Sequence, residues 1–144
     1  MTNLTKVRRI VAAALMLTLV LAAAPSLTTA EARPRTTVSR TLCPYDWRRS
    51  TYQLKRMIRC AARHWSVAGG PHQALSVARC ESHFNPGAYN SGGYAGVFQQ
   101  ATSYWPGRSD TFGFHDYSVF NGRANIMVSL RMAHRAGWGA WACG

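Results

Sequence analysis

The chain has 144 residues, with 17 Lys and Arg against 5 Asp and Glu and a formal net charge of +12. That length supports one hydrophobic core and excludes two. The excess of cations calls for an anionic partner, but nearly all are Arg scattered along the chain, without the dense tract or aromatic-interleaved motif of a nucleic-acid binder.

Residues 1–32 read as an export signal. Lys6, Arg8 and Arg9 form a basic start, and Ile10 to Ala24 is an uncharged apolar run closed by Pro25. At 15 residues the run is shorter than the roughly 20 of a membrane-spanning helix. Ala30-Glu31-Ala32 matches an A-x-A cleavage site, with Ala22-Ala23-Ala24 as the fallback. The expected product is a secreted bacterial protein with no stable membrane insertion once the signal is cut; an uncleaved anchor is the alternative. Residues 33–42, rich in Pro, Arg and Thr, read as a flexible leader, and 43–144 as the folded domain.

Export bears on Cys43, Cys60, Cys80 and Cys143. An even count in a small exported chain favours two disulfides, and four cysteines leave three pairings open. Their wide spacing, the lack of a C-x-x-C pair and the unclustered histidines argue against a metal, and no cofactor is expected.

A first helix is predicted from Ser50 or Thr51, where Leu54, Met57, Ile58, Ala61, Ala62 and Trp65 recur at three- and four-residue steps, up to Gly69-Gly70. Pro71 opens a second through Ser82, stopped by Asn85-Pro86. Gly87 to Gln99 is too Gly-rich for a helix and reads as a turn or short hairpin. Ala101 to Trp105 is one helical turn before Pro106-Gly107, and Arg108 to Asn121 an ordered loop. A last helix runs from about Asn121 to Ala136, with Ile126, Leu130 and Ala133 on one stripe and Gly137 as its stop. The fold class is mainly α.

Glu81 is one of two glutamates, and the other, Glu31, lies in the signal. Its spacing from Ala74, Val77 and Ala78 places it on the apolar face of the second helix, near the negative end of the helix dipole. Both factors disfavour a bare carboxylate, as suits a general acid.

Around Glu81 the sequence resembles the soluble lytic transglycosylase-like, goose-type-lysozyme-like superfamily of peptidoglycan-cleaving enzymes. Glu81-Ser82 matches its Glu-Ser pair at a helix end, followed by Phe84-Asn85-Pro86 and Ala88-Tyr89-Asn90. Gly96-Val97-Phe98-Gln99 matches its Gly-Leu-Phe/Met-Gln segment, and Asn125-Ile126 its Asn-Ile helix. The Gly-Trp-x-x-Trp-x-Cys close is similar to compact actinobacterial and phage members. The resemblance implies a small lysozyme-like domain with the Gly-rich hairpin or loop lining a sugar-binding cleft. It also implies Glu81 as the catalytic acid, Gln99 in the groove, and Ser82 steadying the helix end or the acid. Tyr89, Tyr94, Phe98 and Asn125 complete the expected substrate-binding set, and Tyr104 and Trp105 are further stacking surfaces. Compact members imply a Cys80–Cys143 pairing, which leaves Cys43 with Cys60. No Ala-Tyr-Asn-Ala-Gly motif follows the Asn-Ile helix, so the tyrosine that many transglycosylases set beside the acid has no counterpart.

Most glycosidases use two carboxylates. Here the candidates for a second are Asp46, Asp110 and Asp116, none within a resembling motif. A one-acid route follows: Glu81 protonates the glycosidic oxygen, the substrate's acetamido group stabilises the cationic centre, and Glu81 then acts as base. The expected activity is cleavage of the β-1,4 bond between N-acetylmuramic acid and N-acetylglucosamine, with a 1,6-anhydro product. Plain hydrolysis, or a catalytically silent basic wall-binding module, are the alternatives. Expected partners are peptidoglycan glycan strands and anionic wall polymers, not nucleic acid, for a secreted, wall-associated monomer.

Overall fold

Ser50 opens the first helix: its hydroxyl accepts the Gln53 backbone N–H at 3.2 Å and satisfies one of the free donors of the first turn. Helix α1 then runs Thr51–His64 and buries Leu54, Met57, Ile58, Ala61 and Ala62 of the predicted stripe, while Trp65 follows the helix as its C-cap and is half-buried. The structure is a computed structural model that describes residues 42–144. The signal and all of the leader except residue 42 lie outside the described residues.

Helix α2, Gly70–Ser82, begins one residue before Pro71, and Gly69 is its N-cap in a left-handed conformation at φ 70°. The Gly pair therefore opens α2; α1 has already ended at His64. The helix ends at Ser82 as expected, but a different pair of residues stops it. Asn85-Pro86 lies beyond the stop, which is made by His83 and Phe84 at φ 53° and 66°. There the His83 N–H donates to the Arg79 carbonyl at 2.9 Å and the Phe84 N–H to the Ala78 carbonyl at 3.3 Å. Two successive side-chain-bearing residues at positive φ are costly, and they directly follow Glu81-Ser82.

The Gly-rich stretch forms a small antiparallel hairpin, β1 (Tyr94–Ala95) with β2 (Gln100–Ala101), Tyr94 opposite Ala101. Helix α3, Trp105–Thr111, corrects the expectation of a loop from Arg108. Pro106 lies in its first turn, where the missing N–H costs nothing and the fixed φ favours the helix, so the proline starts a helix instead of ending one. Helix α4, Gly122–Ala136, is capped by the Asn121 side chain, which accepts the Ala124 N–H at 3.1 Å, and Gly137 closes it.

Residues Ala124 to Leu130 of α4 are all buried, which marks a central helix and not one with a solvent face. α1 packs against both α2 and α4, and α3 against α4. At Gly122 a Cβ would lie 2.7 Å from the Trp47 ring, so only glycine lets the indole seat on the start of α4. The described part of the molecule is mainly helical, with four helices and two disulfides.

Those disulfides join Cys43 to Cys60 and Cys80 to Cys143, the pairing that the resemblance implies. They close 17- and 63-residue separations. In the chain-entropy account the longer loop contributes more, about 4 kcal/mol against about 3 kcal/mol. Replacing Cys80 and Cys143 together by Ser is therefore expected to cost more than replacing Cys43 and Cys60. Parallel urea denaturation of the two double variants measures the difference.

Candidate functional site

Glu81 lies in the last turn of α2 at the edge of the buried stripe: Ala74, Val77, Ala78 and Ser82 are buried, and Glu81 is half-buried. The carboxylate has a single hydrogen bond among the described residues, accepted from the Cys143 backbone N–H at 3.3 Å. No Arg, Lys or His pairs with it there, although cations outnumber acids across the chain. The C-terminal tail is brought to it by the Cys80–Cys143 disulfide, formed by the residue immediately before Glu81.

The tail is also seated on aromatic packing. Trp138 stacks on Phe98 with ring centres 6.2 Å apart, and Trp141 meets the same ring edge-on at 6.5 Å. Both indole N–H groups find acceptors: Trp138 donates to the Ala68 carbonyl at 2.8 Å and Trp141 to the Phe98 carbonyl at 2.9 Å. The Gly-Trp-x-x-Trp-x-Cys close thus connects Glu81 to the Gly96–Gln99 segment.

Ser82 makes a second connection. Its buried hydroxyl lies 2.7 Å from the Val97 carbonyl and 3.3 Å from that of Ala78, so its single proton is best placed toward Val97. Asn125, fully buried on α4, holds the segment from the far side: its amide oxygen accepts the Phe98 N–H at 2.9 Å. Its amide nitrogen donates to the Ala95 and Val119 carbonyls at 3.2 and 3.1 Å. Gly96, at φ 79°, comes so close that a Cβ there would sit 2.3 Å from the Asn125 nitrogen.

These contacts correct three of the expected substrate-binding residues. Phe98 and Asn125 have no exposed surface and Ser82 almost none, so none of them can reach a ligand on this surface. Phe98 is the ring on which the tail packs, and Ser82 and Asn125 spend their hydrogen bonds on backbone groups, at Val97 and Ala78 for Ser82 and at Ala95, Phe98 and Val119 for Asn125. They are positioning residues. Trp105 is likewise buried, its indole donating to the Tyr117 carbonyl at 2.7 Å.

Gln99 is half-buried, at φ 43°. Its amide nitrogen donates to the Gly96 carbonyl at 3.0 Å and the Ala88 carbonyl at 3.4 Å, while its oxygen accepts from the Asn90 side chain at 3.1 Å. A spare lone pair on that oxygen is what it has left to offer a ligand. Asn90 in turn accepts the Gly92 and Tyr94 N–H groups at 2.9 and 3.2 Å, and Asn85 accepts that of Gly87 at 2.9 Å. Both are side-chain-capped turns, and Asn85-Pro86-Gly87 and Asn90-Ser91-Gly92 carry the residues such turns favour.

Tyr89 and Tyr94 are exposed, as is Tyr104. Tyr89 has an aromatic neighbour that the sequence reading missed: Phe120, 41% exposed, with ring centres 6.5 Å apart. Nothing in its local sequence marks Phe120, because the contact spans the hairpin and the loop before α4.

The three aspartates make contacts of their own. Asp46 accepts the Arg48 N–H at 3.1 Å ahead of α1, Asp110 on α3 meets His115 at 2.9 Å, and Asp116 sits in the following loop at φ 61°. Among the described residues none shares a hydrogen bond with Glu81, and no group of three or more His, Cys, Asp or Glu is arranged to hold a metal ion. Two surface depressions, one beside Tyr104, Arg108 and Met132 and one beside Arg59 and Arg79, are lined by neither Glu81 nor Gln99.

No family model, curated protein or solved structure matches the chain.

Removing the Asn125 amide leaves the Phe98 N–H and the Ala95 and Val119 carbonyls buried without their partner. An unsatisfied buried group costs about 1–3 kcal/mol, so Asn125→Ala is expected to lower stability by about 3 kcal/mol or more. Urea denaturation measures the loss, and near-ultraviolet circular dichroism of Trp138 and Trp141 reports whether the tail stays seated.

Proposed function

We propose that the protein is a secreted peptidoglycan-cleaving enzyme with Glu81 as its acid. The observation that carries the reading is the state of Glu81: in a strongly basic chain it has no cationic partner among the described residues and one long backbone hydrogen bond. A carboxylate kept for structure would be expected to hold an Arg or several backbone amides. The join between the Glu-Ser helix end and the Gly96–Gln99 segment, through Ser82 and Val97, supports the same reading. So do the two disulfides, which suit an oxidising compartment.

In this mechanism Glu81 gives its proton to the glycosidic oxygen between N-acetylmuramic acid and N-acetylglucosamine. The cationic sugar is stabilised by the substrate's own acetamido group, a route that needs no second carboxylate. Glu81 then takes a proton from the muramic acid C6 hydroxyl, closing a 1,6-anhydro ring, or from water. Exposed Tyr89 and Phe120 offer apolar faces for sugar rings, and the lysozyme-like fold and monomeric state belong to the same proposal. The second reading is a silent wall-binding module, favoured by the internal hydrogen bonds that occupy Gln99.

Glu81→Gln is expected to reduce glycan cleavage by roughly 10²–10⁴-fold while the melting temperature changes little. Wild-type clearing of peptidoglycan by this variant would remove Glu81 from the mechanism. No cleavage by the wild-type protein would favour the binding module.

Dependence on the acetamido group makes N-deacetylated glycan a poor substrate. Mass spectra of released muropeptides separate the two outcomes, because anhydro ends weigh one water less than reducible ones. Efficient cutting of deacetylated glycan would bring Asp46, Asp110 or Asp116 back as a second acid.

A further inference from the structure

The polar sides of α1 and α2 enclose a depression of ≈ 310 Å³ bordered by Lys55, Arg59, His72, Ser76, Arg79 and Phe84. No carboxylate borders it. Among the described residues the ion pair is between His115 and Asp110, so none of these cations has an acidic partner. Lys55 and Arg59 stand one turn apart on α1, a spacing at which like charges oppose helix formation. Arg79 adds a third permanent charge from α2. Cations gathered in a concavity with an apolar wall focus their field on whatever anion enters.

We propose that this depression binds a phosphoryl group, carried by a polyol-phosphate polymer or present as free phosphate. Donors converge on it from two helices: two guanidinium forks, an ammonium, an imidazole and the Ser76 hydroxyl. That arrangement suits a tetrahedral anion with oxygens on several sides, whereas a planar carboxylate is satisfied by one guanidinium fork. A nucleic acid is disfavoured because the Phe84 ring already carries the Lys55 ammonium 4.4 Å from its centre, which removes a face on which a base would stack. The site does not rest on glycan cleavage, since Glu81 does not line it.

The test is a chemical-shift titration of the protein with inorganic phosphate, a glycerol-phosphate oligomer, acetate and single-stranded DNA at matched ionic strength. Phosphate or the oligomer is expected to shift resonances of Lys55, Arg59 and Arg79, and the ligand that does so identifies the source. Arg59→Gln with Arg79→Gln is expected to weaken that binding about tenfold or more, the loss of at least one charge-assisted hydrogen bond. Arg49→Gln with Arg135→Gln, an equal charge change at exposed positions that do not border the depression, is expected to have a much smaller effect. Should the first pair not fold, Arg79→Gln alone, at an exposed position, serves in its place. The proposal is overturned if acetate binds as tightly as phosphate, if the two charge pairs weaken binding equally, if DNA outcompetes the oligomer at these residues, or if neither phosphate ligand shifts them.

Discussion

Asn125 is fully buried in the first turn of α4, and a buried amide is stable only if its oxygen and both N–H groups find partners. It meets that demand with the backbone of residues 95 and 98 and the Val119 carbonyl, and so ties the hairpin and the loop before α4 to the central helix. The same approach requires a glycine at position 96, since a side chain there would collide with the amide. Gln99, Phe98 and the Ser82 contact all take their places from a segment that this one residue holds. Because its groups are fully used, the site is braced by a polar interaction inside an otherwise apolar core, where such a bond is stronger than at the surface.

The second brace is hydrophobic. Phe98 offers its ring to Trp138 and Trp141, which seat the tail beyond Gly137. Trp141 then returns a hydrogen bond to the Phe98 carbonyl, and the Cys80–Cys143 disulfide joins the tail to α2 beside Glu81. A tail with no helix or strand of its own is thereby made part of the candidate site. The left-handed turn at His83 and Phe84 is held by the bonds of their N–H groups to the Arg79 and Ala78 carbonyls, which offset the unfavourable backbone immediately after Glu81-Ser82.

Charge divides the surface by role. Among the described residues, cations without an acidic partner collect between α1 and α2, while Glu81, two residues beyond Arg79 on the same helix, is in no ion pair.

Helices α1, α2 and α4 were legible in the sequence because their buried residues recur at 3.6-residue spacing and Ser50, Pro71 and Asn121 mark their starts. Glu81 also stood out, from residue type and helical spacing, and the Gly96–Gln99 segment stood out through the family resemblance. Local pattern failed at α3, where a proline can either stop a helix or begin one, and the choice depends on what packs beside it. It failed again at Ser82, Phe98 and Asn125: a motif names its residues, but whether a side chain faces a ligand or the interior depends on which distant segments close over it. Chain order by itself determined three of the four described helices, the even cysteine count and the single glutamate of residues 43–144. Only the tertiary structure decided that Cys143 meets Glu81, that Phe120 meets Tyr89 and that four basic residues share one depression, because each contact joins segments whose spacing in sequence carries no trace of their distance in space.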